Sequence, residues 1–140
     1  EEVNLASRLE SGAKSYGIYF HSTYKTLEKA GLERYDWRYI DRVIFKGFSD
    51  WKQTVEILGY KNETNDKVKK LIKFFHQGLD YYYKRDWINA TKSFKMSLKY
   101  ELISHSNNFN PSSIFIERCN YYNKNNPSSD WNGIYKLDRK

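Results

Sequence analysis

Two polar side chains near the start of the chain have the types and the spacing needed to contact a phosphate group. Asn4 and Arg8 are four positions apart, so on a helix they lie on one face. Leu5 and Leu9 repeat this spacing on a neighbouring face that can pack against a core. A guanidinium stays charged and its donors match two oxygens of a phosphate. The pattern permits an anion-binding face, although an Asn and an Arg on a helix more often form an ordinary solvated surface.

The residues around this pair make a more specific pattern. The string V-N-L-A-S-R-L-E, residues 3–10, resembles the helix motif of class III adenylate and guanylate cyclases. In that family the asparagine orients the ribose, and the arginine stabilises charge that builds on the α-phosphate as the 3′-oxygen attacks. The resemblance implies these catalytic roles for Asn4 and Arg8. Donors placed in advance where charge develops often contribute more to catalysis than any other single effect.

A second landmark of the same family lies further along the chain. The string D-R-V-I-F-K-G-F, residues 41–48, resembles the V-K-G-K hairpin of cyclases. The resemblance implies that Lys46 binds the terminal phosphates of the nucleotide and that Gly47 is the family glycine. Phe48 stands where a second lysine is frequent. Without the first motif, Lys46 would be interpreted as a solvated lysine at the end of a strand.

The resemblance places the two metal-binding aspartates of the family upstream of this chain. Mg or Mn is expected for the full-length family member, to activate the 3′-hydroxyl and hold the triphosphate. No metal ligand is predicted within the chain itself. Asp36, Asp41 and Asp50 fall in loop or hairpin positions and are interpreted as structural. The histidines and the cysteine, His21, His76, His105 and Cys119, show no metal-ligand spacing. We therefore expect the isolated chain to be unable to cyclise a nucleotide.

The elements that must position these residues follow from periodicity and capping signals. Residues 1–60 predict the order helix, strand, helix and β-hairpin. The first helix stops at Gly17, and the second begins at Ser22 or Thr23 and stops at Gly31. The strands are predicted at residues 18–20, 39–46 and 51–58. This order is that of an incomplete ferredoxin-like cyclase domain, and the missing upstream strands are expected to leave sheet edges unpaired.

The remainder of the chain predicts helices. A polar stretch, residues 61–66, is interpreted as a linker, and helical periodicity then runs through residues 68–82 and 87–102. A third helix is predicted to start at Pro111 and to stop before Pro127. Four residues fall at the spacings of a tetratricopeptide repeat: Gly78, Tyr81, Ala90 and Phe94. Such a pair of helices packs closely where its residues are small.

The C-terminal stretch also resembles a tail that follows cyclase domains in some bacterial proteins. Its residues are Pro111–Ser113, Arg118-Cys119, Pro127 and Asp130–Ile134. We know no chemical role for this tail and interpret it as a packed cap anchored by Trp131. Residues 131–140 show no clear period.

Charge distribution leaves two alternatives from other functional classes open. The formal net charge is +7, and the excess lies in residues 61–140. A basic helical module could be a protein-interaction adaptor for acidic partners without catalytic activity. A nucleic-acid-binding module is the weaker alternative, because no recognition motif accompanies the lysines. The lead interpretation includes no nucleic acid.

The sequence thus predicts an α+β fold with three parts. Residues 1–60 form the C-terminal portion of a nucleotidyl cyclase catalytic domain, 61–66 a linker, and 67–140 an all-α tetratricopeptide-like module with its tail. By the resemblance, the intact enzyme converts ATP or GTP to the 3′,5′-cyclic nucleotide and pyrophosphate and works as a homodimer, with a protein partner at the helical module. No membrane segment is predicted in the chain, which is expected to be cytoplasmic; a membrane anchor upstream of it is compatible with the sequence.

Overall fold

The computed structural model describes residues 2–102 and 109–137. The elements, in chain order, are α1 (Glu2–Tyr16), β1 (His21–Thr23), α2 (Tyr24–Ala30), a 3₁₀ turn (Leu32–Arg34), β2 (Tyr35–Phe45), β3 (Lys52–Tyr60), α3 (Asp66–Tyr83), α4 (Trp87–Leu98), α5 (Pro111–Lys124) and β4 (Ile134–Leu137). The mixed α+β class that the sequence predicts is confirmed. Of the predicted features, His105 and residues 138–140 of the tail lie outside the described residues.

The strands form one sheet in the order β1-β3-β2-β4. β3 pairs antiparallel with both β1 and β2, which confirms the predicted hairpin, and β4 pairs parallel with β2. The hairpin strands are longer than predicted: β2 begins at Tyr35, where the 3₁₀ turn ends, rather than at Tyr39. The antiparallel ladder is interrupted between Tyr39 and Arg42, where β2 carries an extra residue. Such bulges bend a strand and redirect its side chains.

The helix boundaries of the first segment follow from local chemistry. The Thr23 hydroxyl accepts a hydrogen bond from the backbone N–H of Thr26, and Gly31 ends α2 with a positive φ of 115°. Both caps match the sequence signals. The strand predicted at residues 18–20 is misplaced, because pairing begins at His21. Ile18 turns into the core at 2% exposure, whereas Phe20 stays 69% exposed, so this apolar run is not a buried strand.

Close packing of α3 against α4 depends on Gly78. A Cβ atom at this position would lie 2.6 Å from ring atoms of Phe94. Ala90 and Phe94 of α4 are fully buried. On α3, Tyr82 is fully buried, whereas Tyr81 is only partly buried. The expected small-against-large contact is present. Whether this helix pair is a tetratricopeptide repeat stays a prediction.

One hydrophobic core joins the two segments of the chain. It includes Ala13 and Tyr16 of α1, Phe45 of β2, Phe75 of α3 and Phe115 of α5. The segment between β3 and α3 is short, and Asn65 already caps α3 by accepting from the Val68 N–H. The prediction that residues 61–66 are a linker between two domains stays a prediction. Apolar side chains from before and after residues 61–66 nevertheless pack in the same cluster.

The tail holds a strand that the sequence analysis missed. β4 pairs with residues 42–45 of β2, so part of the edge expected to be unpaired is covered. The tail was predicted without a period of its own, and residues 134–137 form a strand that the all-α description of the module did not include. The ring centroid of Trp131 lies 5.4 Å from those of Tyr82 and Trp87. Trp131 thus packs against α3 and α4, as expected for the residue that anchors the tail.

Candidate functional site

The three residues assigned by resemblance line the same cleft. Asn4, Arg8 and Lys46 surround an open cavity of about 410 Å³ together with the turn between β2 and β3. The other lining residues are Gly47, Phe48, Ser49, Asp50 and Lys52. Asn4 and Arg8 come from α1, whereas Lys46 immediately follows β2. The fold therefore brings together residues that are about forty positions apart in the sequence. Their roles stay a prediction.

Helix α1 presents Asn4 and Arg8 because a neighbouring face of the helix packs on the core. Leu5 and Leu9, one residue after each of them, contact the core cluster. Gly12 lets the helix approach β1, since a Cβ there would lie 2.9 Å from His21 Cε1. His21 Nδ1 lies 2.9 Å from the Leu9 carbonyl oxygen. That oxygen can only accept, so Nδ1 carries the proton and the ring ties β1 to α1.

A tight turn fixes the position of Lys46. The Phe48 N–H donates to the Phe45 carbonyl over 3.0 Å, and Gly47 adopts a φ of 88°. A positive φ at the third position of a turn suits glycine, because a side chain there is strained. Phe48, the departure from the family pattern, packs on the core with its ring 6.5 Å from that of Phe45. This contact anchors the turn beneath the exposed lysine.

Positive charge dominates the cleft. Arg8, Lys46 and Lys52 supply cations, and Asp50 is the one carboxylate among the lining residues. Arg8 Nε is buried and has no hydrogen-bond partner among the described residues. A buried donor without a partner is costly, so an acceptor on a ligand would stabilise it. An anion with several oxygens suits this balance of charges.

A buried polar cluster connects α1, β2 and α5. The Tyr16 hydroxyl donates to the Asp41 carboxylate, and Arg118 Nη1 of α5 lies 2.8 Å from Asp41 Oδ2. Asp41 is fully buried. Burial and the neighbouring carboxylate raise the pKa of Tyr16, so its hydroxyl keeps its proton and remains a donor. The interpretation of Asp41 as structural agrees with these contacts.

Sequence reasoning missed the contribution of the hairpin turn and of Arg118. Ser49 and Asp50 belong to the connection that was predicted between the strands, so a hairpin drawn from the sequence could have placed them beside Lys46. Lys52 at the start of β3 could have been found in the same way. Arg118 carries no such signal, because its partner Asp41 lies far away in the sequence.

The acidic, histidine and cysteine side chains of the described residues do not assemble into a group that could hold a metal ion. Asp50 stands alone in the cleft, Asp41 is paired with Arg118, and Asp36 is paired with Lys61 at 3.5 Å. These residues do not fit a two-metal site. Cys119 is fully buried, and burial raises the pKa of its thiol to about 11, which makes it a poor nucleophile.

Comparison with known proteins leaves the family open. No family model, no curated protein and no solved structure matches the chain. In residues 2–102 and 109–137, no helix is long and apolar enough to cross a membrane.

Proposed function

We propose that the chain is the C-terminal part of a class III purine-nucleotide cyclase, and that its cleft binds the ribose and phosphates of ATP or GTP. In this proposal residues 1–60 are the end of a ferredoxin-like cyclase domain, and the helices that follow form a tetratricopeptide-like module. The observation that carries the proposal is the convergence of Asn4, Arg8 and Lys46 on one cationic cleft.

Each residue has a role that suits its chemistry. Asn4 is exposed at the cleft and can offer both an amide donor and an acceptor to the ribose hydroxyls. Arg8 is held by a helix whose neighbouring face is packed, so its guanidinium can meet negative charge on the α-phosphate without much reorganisation. Lys46 is a point charge on a rigid turn, suited to the terminal phosphates.

The chain supplies only part of such a site. Mg²⁺ or Mn²⁺, when bound, would activate the 3′-hydroxyl and neutralise phosphate charge. Residues 2–102 and 109–137 hold no group of side chains that fits the metal, and the proposal assigns metal binding to aspartates outside this chain. In a homodimer one chain would contribute the aspartates and its partner Asn4, Arg8 and Lys46. The isolated chain is then a nucleotide-binding half-site without cyclase activity.

Binding to the purified chain tests the phosphate site directly. The ¹H–¹⁵N NMR signals of the Gly47 amide and of Arg8 Nε–H should shift on addition of ATP or GTP. AMP should bind more weakly, because it lacks the phosphates that Lys46 is proposed to contact. Lys46→Ala should reduce the preference for ATP over AMP by about tenfold or more, the worth of one charged hydrogen bond.

Lys14→Ala is the matched control, because Lys14 is an exposed lysine of α1 that does not line the cleft. It should leave both affinities unchanged. Equal affinity for ATP and AMP, or shifts confined to residues away from the cleft, would contradict the phosphate site. Cyclic nucleotide made by the purified chain, and lost in Arg8→Ala, would refute its proposed inactivity.

A second candidate, an adaptor function, is favoured by the surface of the helical segment. Exposed lysines cover α3 and α4: Lys67, Lys69, Lys70, Lys73, Lys92 and Lys95. Such a surface attracts acidic protein partners, and the attraction weakens as salt is added. An acidic peptide should therefore pull down the chain less strongly as salt is added, and less strongly after Lys69→Glu and Lys73→Glu. Binding that does not change with salt or with these substitutions would contradict this role.

A further inference from the structure

A second cleft lies where α3 meets the sheet, and we call it the seam cleft. Its volume is about 500 Å³, within the range of small-molecule sites. Six of its lining residues bear on what it could bind: Tyr24, Tyr39, Arg42, His76, Asp80 and Tyr83. None of these residues lines the cleft that holds Asn4, Arg8 and Lys46. Binding at the seam cleft therefore does not depend on the proposed cyclase function.

Aromatic rings form one wall of the seam cleft. Tyr24 at the start of α2 stacks on Tyr39 of β2, with ring centroids 5.7 Å apart and planes inclined by 23°. Trp37 meets both rings edge-on, at 5.9 Å from Tyr24 and 4.9 Å from Tyr39. This packing holds the two tyrosines in fixed orientations. A rigid aromatic wall of this kind binds flat apolar rings with little loss of conformational freedom.

His76 adds a hydrogen-bond donor whose tautomer the structure determines. The backbone N–H of Tyr39 donates to His76 Nε2 over 2.9 Å. Burial and the nearby Arg38 lower the pKa of His76 to about 4, so the ring is neutral at pH 7. A neutral ring that accepts at Nε2 carries its proton on Nδ1. Among the described residues, the hydrogen bond at Nε2 is the one that this ring forms, and the charge of Asp80 acts on the ring.

Arg42 adds a cation to the lining of the cleft. Its guanidinium carbon lies 3.8 Å from the centre of the Tyr83 ring, and Nη1 donates to the Asn132 carbonyl over 2.9 Å. The face of the guanidinium is thus covered by the ring, while its remaining N–H groups can meet a carboxylate. The Tyr83 hydroxyl is buried and has no partner within the described part of the chain.

Asp80 supplies the opposite charge at the rim. It is exposed, and within residues 2–102 and 109–137 neither Asp80 nor Arg42 forms an ion pair. The seam cleft therefore presents a cation and an anion that do not neutralise each other directly. The rings of the tyrosines and the His76 side chain line the same cleft.

We propose that the seam cleft binds an aromatic amino acid or a closely similar zwitterion. The flat ring packs on Tyr24 and Tyr39, the carboxylate meets Arg42, and the ammonium group meets Asp80. A ligand with both charges satisfies the two unpaired groups at once, which a singly charged aromatic molecule does not.

An NMR titration of the purified protein tests this with three probes. L-Phenylalanine carries both charges, 3-phenylpropionate lacks the ammonium group, and phenethylamine lacks the carboxylate. L-Phenylalanine should shift the Tyr39 amide and the indole signals of Trp37. Both singly charged probes should bind more weakly, by about twofold to fivefold. Asp80→Asn should remove the advantage of L-phenylalanine over 3-phenylpropionate. Arg42→Lys should reduce its advantage over phenethylamine, because the forked donor is lost.

Glu117→Gln is the matched control, since Glu117 is an exposed carboxylate on α5 that does not line the cleft. It should bind L-phenylalanine as the unmodified protein does. Asp80 is exposed, forms no ion pair with the described residues and acts on His76 through its charge, so we expect Asp80→Asn to keep the fold. Absence of shifts at the highest soluble L-phenylalanine concentration, or equal affinity for all three probes, would overturn the proposal. Unchanged affinity in Asp80→Asn would overturn the assignment of the ammonium group.

Discussion

Replacing Gly78 with alanine tests how closely α3 and α4 pack. The added Cβ would lie 2.6 Å from two ring atoms of Phe94 and 2.9 Å from a third. Ordinary contacts between carbon atoms are about 3.5–4.0 Å. Phe94 is fully buried, and the rings of Phe75 and Phe115 lie 5.3 Å from it, so it has little room to move.

Two opposing effects set the size of the change in stability. Alanine in place of glycine favours a helix by about 1 kcal/mol. Overpacking a full core costs about 1–3 kcal/mol, and the misfit of nearly 1 Å places this variant at the upper end. We expect Gly78→Ala to lower the free energy of unfolding by about 1–2 kcal/mol, the difference between these effects. Urea unfolding followed by tryptophan fluorescence measures it.

Two companion variants separate crowding from helix propensity. Gln77→Ala changes an exposed neighbour in the same helix and should stay within about 0.5 kcal/mol of the unmodified protein. Phe94→Leu removes the ring that the new methyl group would meet. In that background Gly78→Ala should cost less, with an interaction energy of at least about 0.5 kcal/mol. A Gly78→Ala protein as stable as the unmodified one would refute the close approach of the helices.

Two further predictions concern buried ionisable groups. Burial lowers the pKa of both His21 and His76 to about 4, so the folded state binds fewer protons than the unfolded state between pH 6.5 and 4. The free energy of unfolding should therefore fall as pH is lowered from 6.5 to 4, by up to about 3 kcal/mol per histidine. Urea unfolding at a series of pH values measures this dependence, and His76→Gln should make it less steep. Glu101→Ala should destabilise the fold by about 3–5 kcal/mol. Arg38, at 1% exposure, would lose two hydrogen bonds of 2.9 Å to Glu101 and keep Glu56 as its one carboxylate partner. An unchanged thermal unfolding temperature would contradict this.

Local signals in the sequence were sufficient for most helices and for the hairpin. Thr23 and Gly31 mark the ends of α2 because capping depends on a few neighbouring atoms. Pro111 marks the start of α5, where Asn110 and Ser113 form a reciprocal cap. These features depend on residues within one turn of each other, so a single sequence contains the information.

Long-range contacts could not be predicted in this way. The Arg38 side chain meets Glu101 across 63 positions, and β4 pairs with β2 although its residues have no clear period. Both depend on how the helical segment folds back onto the sheet. Burial of Arg38 also conflicts with the expectation that charged residues stay at the surface.

The candidate site likewise has one part that local sequence signals predicted and another that depends on long-range contacts. The spacing of Asn4 and Arg8 predicted a shared helix face, and α1 contains both residues. Their meeting with Lys46 was implied only by the family resemblance, because no periodicity links positions on a helix and a distant turn. The seam cleft had no signal at all, since its residues come from α2, β2, β3 and α3.

The central claim is that Arg8 stabilises charge on a nucleotide during cyclisation. The proposal requires a complete polypeptide in which the metal-binding aspartates precede this chain. Its most direct test is the cyclase activity of that complete polypeptide, assayed with ATP and GTP in the presence of Mg²⁺ or Mn²⁺. We predict formation of a 3′,5′-cyclic nucleotide that falls by about 100-fold or more in Arg8→Ala and is unchanged in Lys14→Ala. Absence of cyclic product from the complete polypeptide, or equal loss of activity in the two variants, would contradict the account.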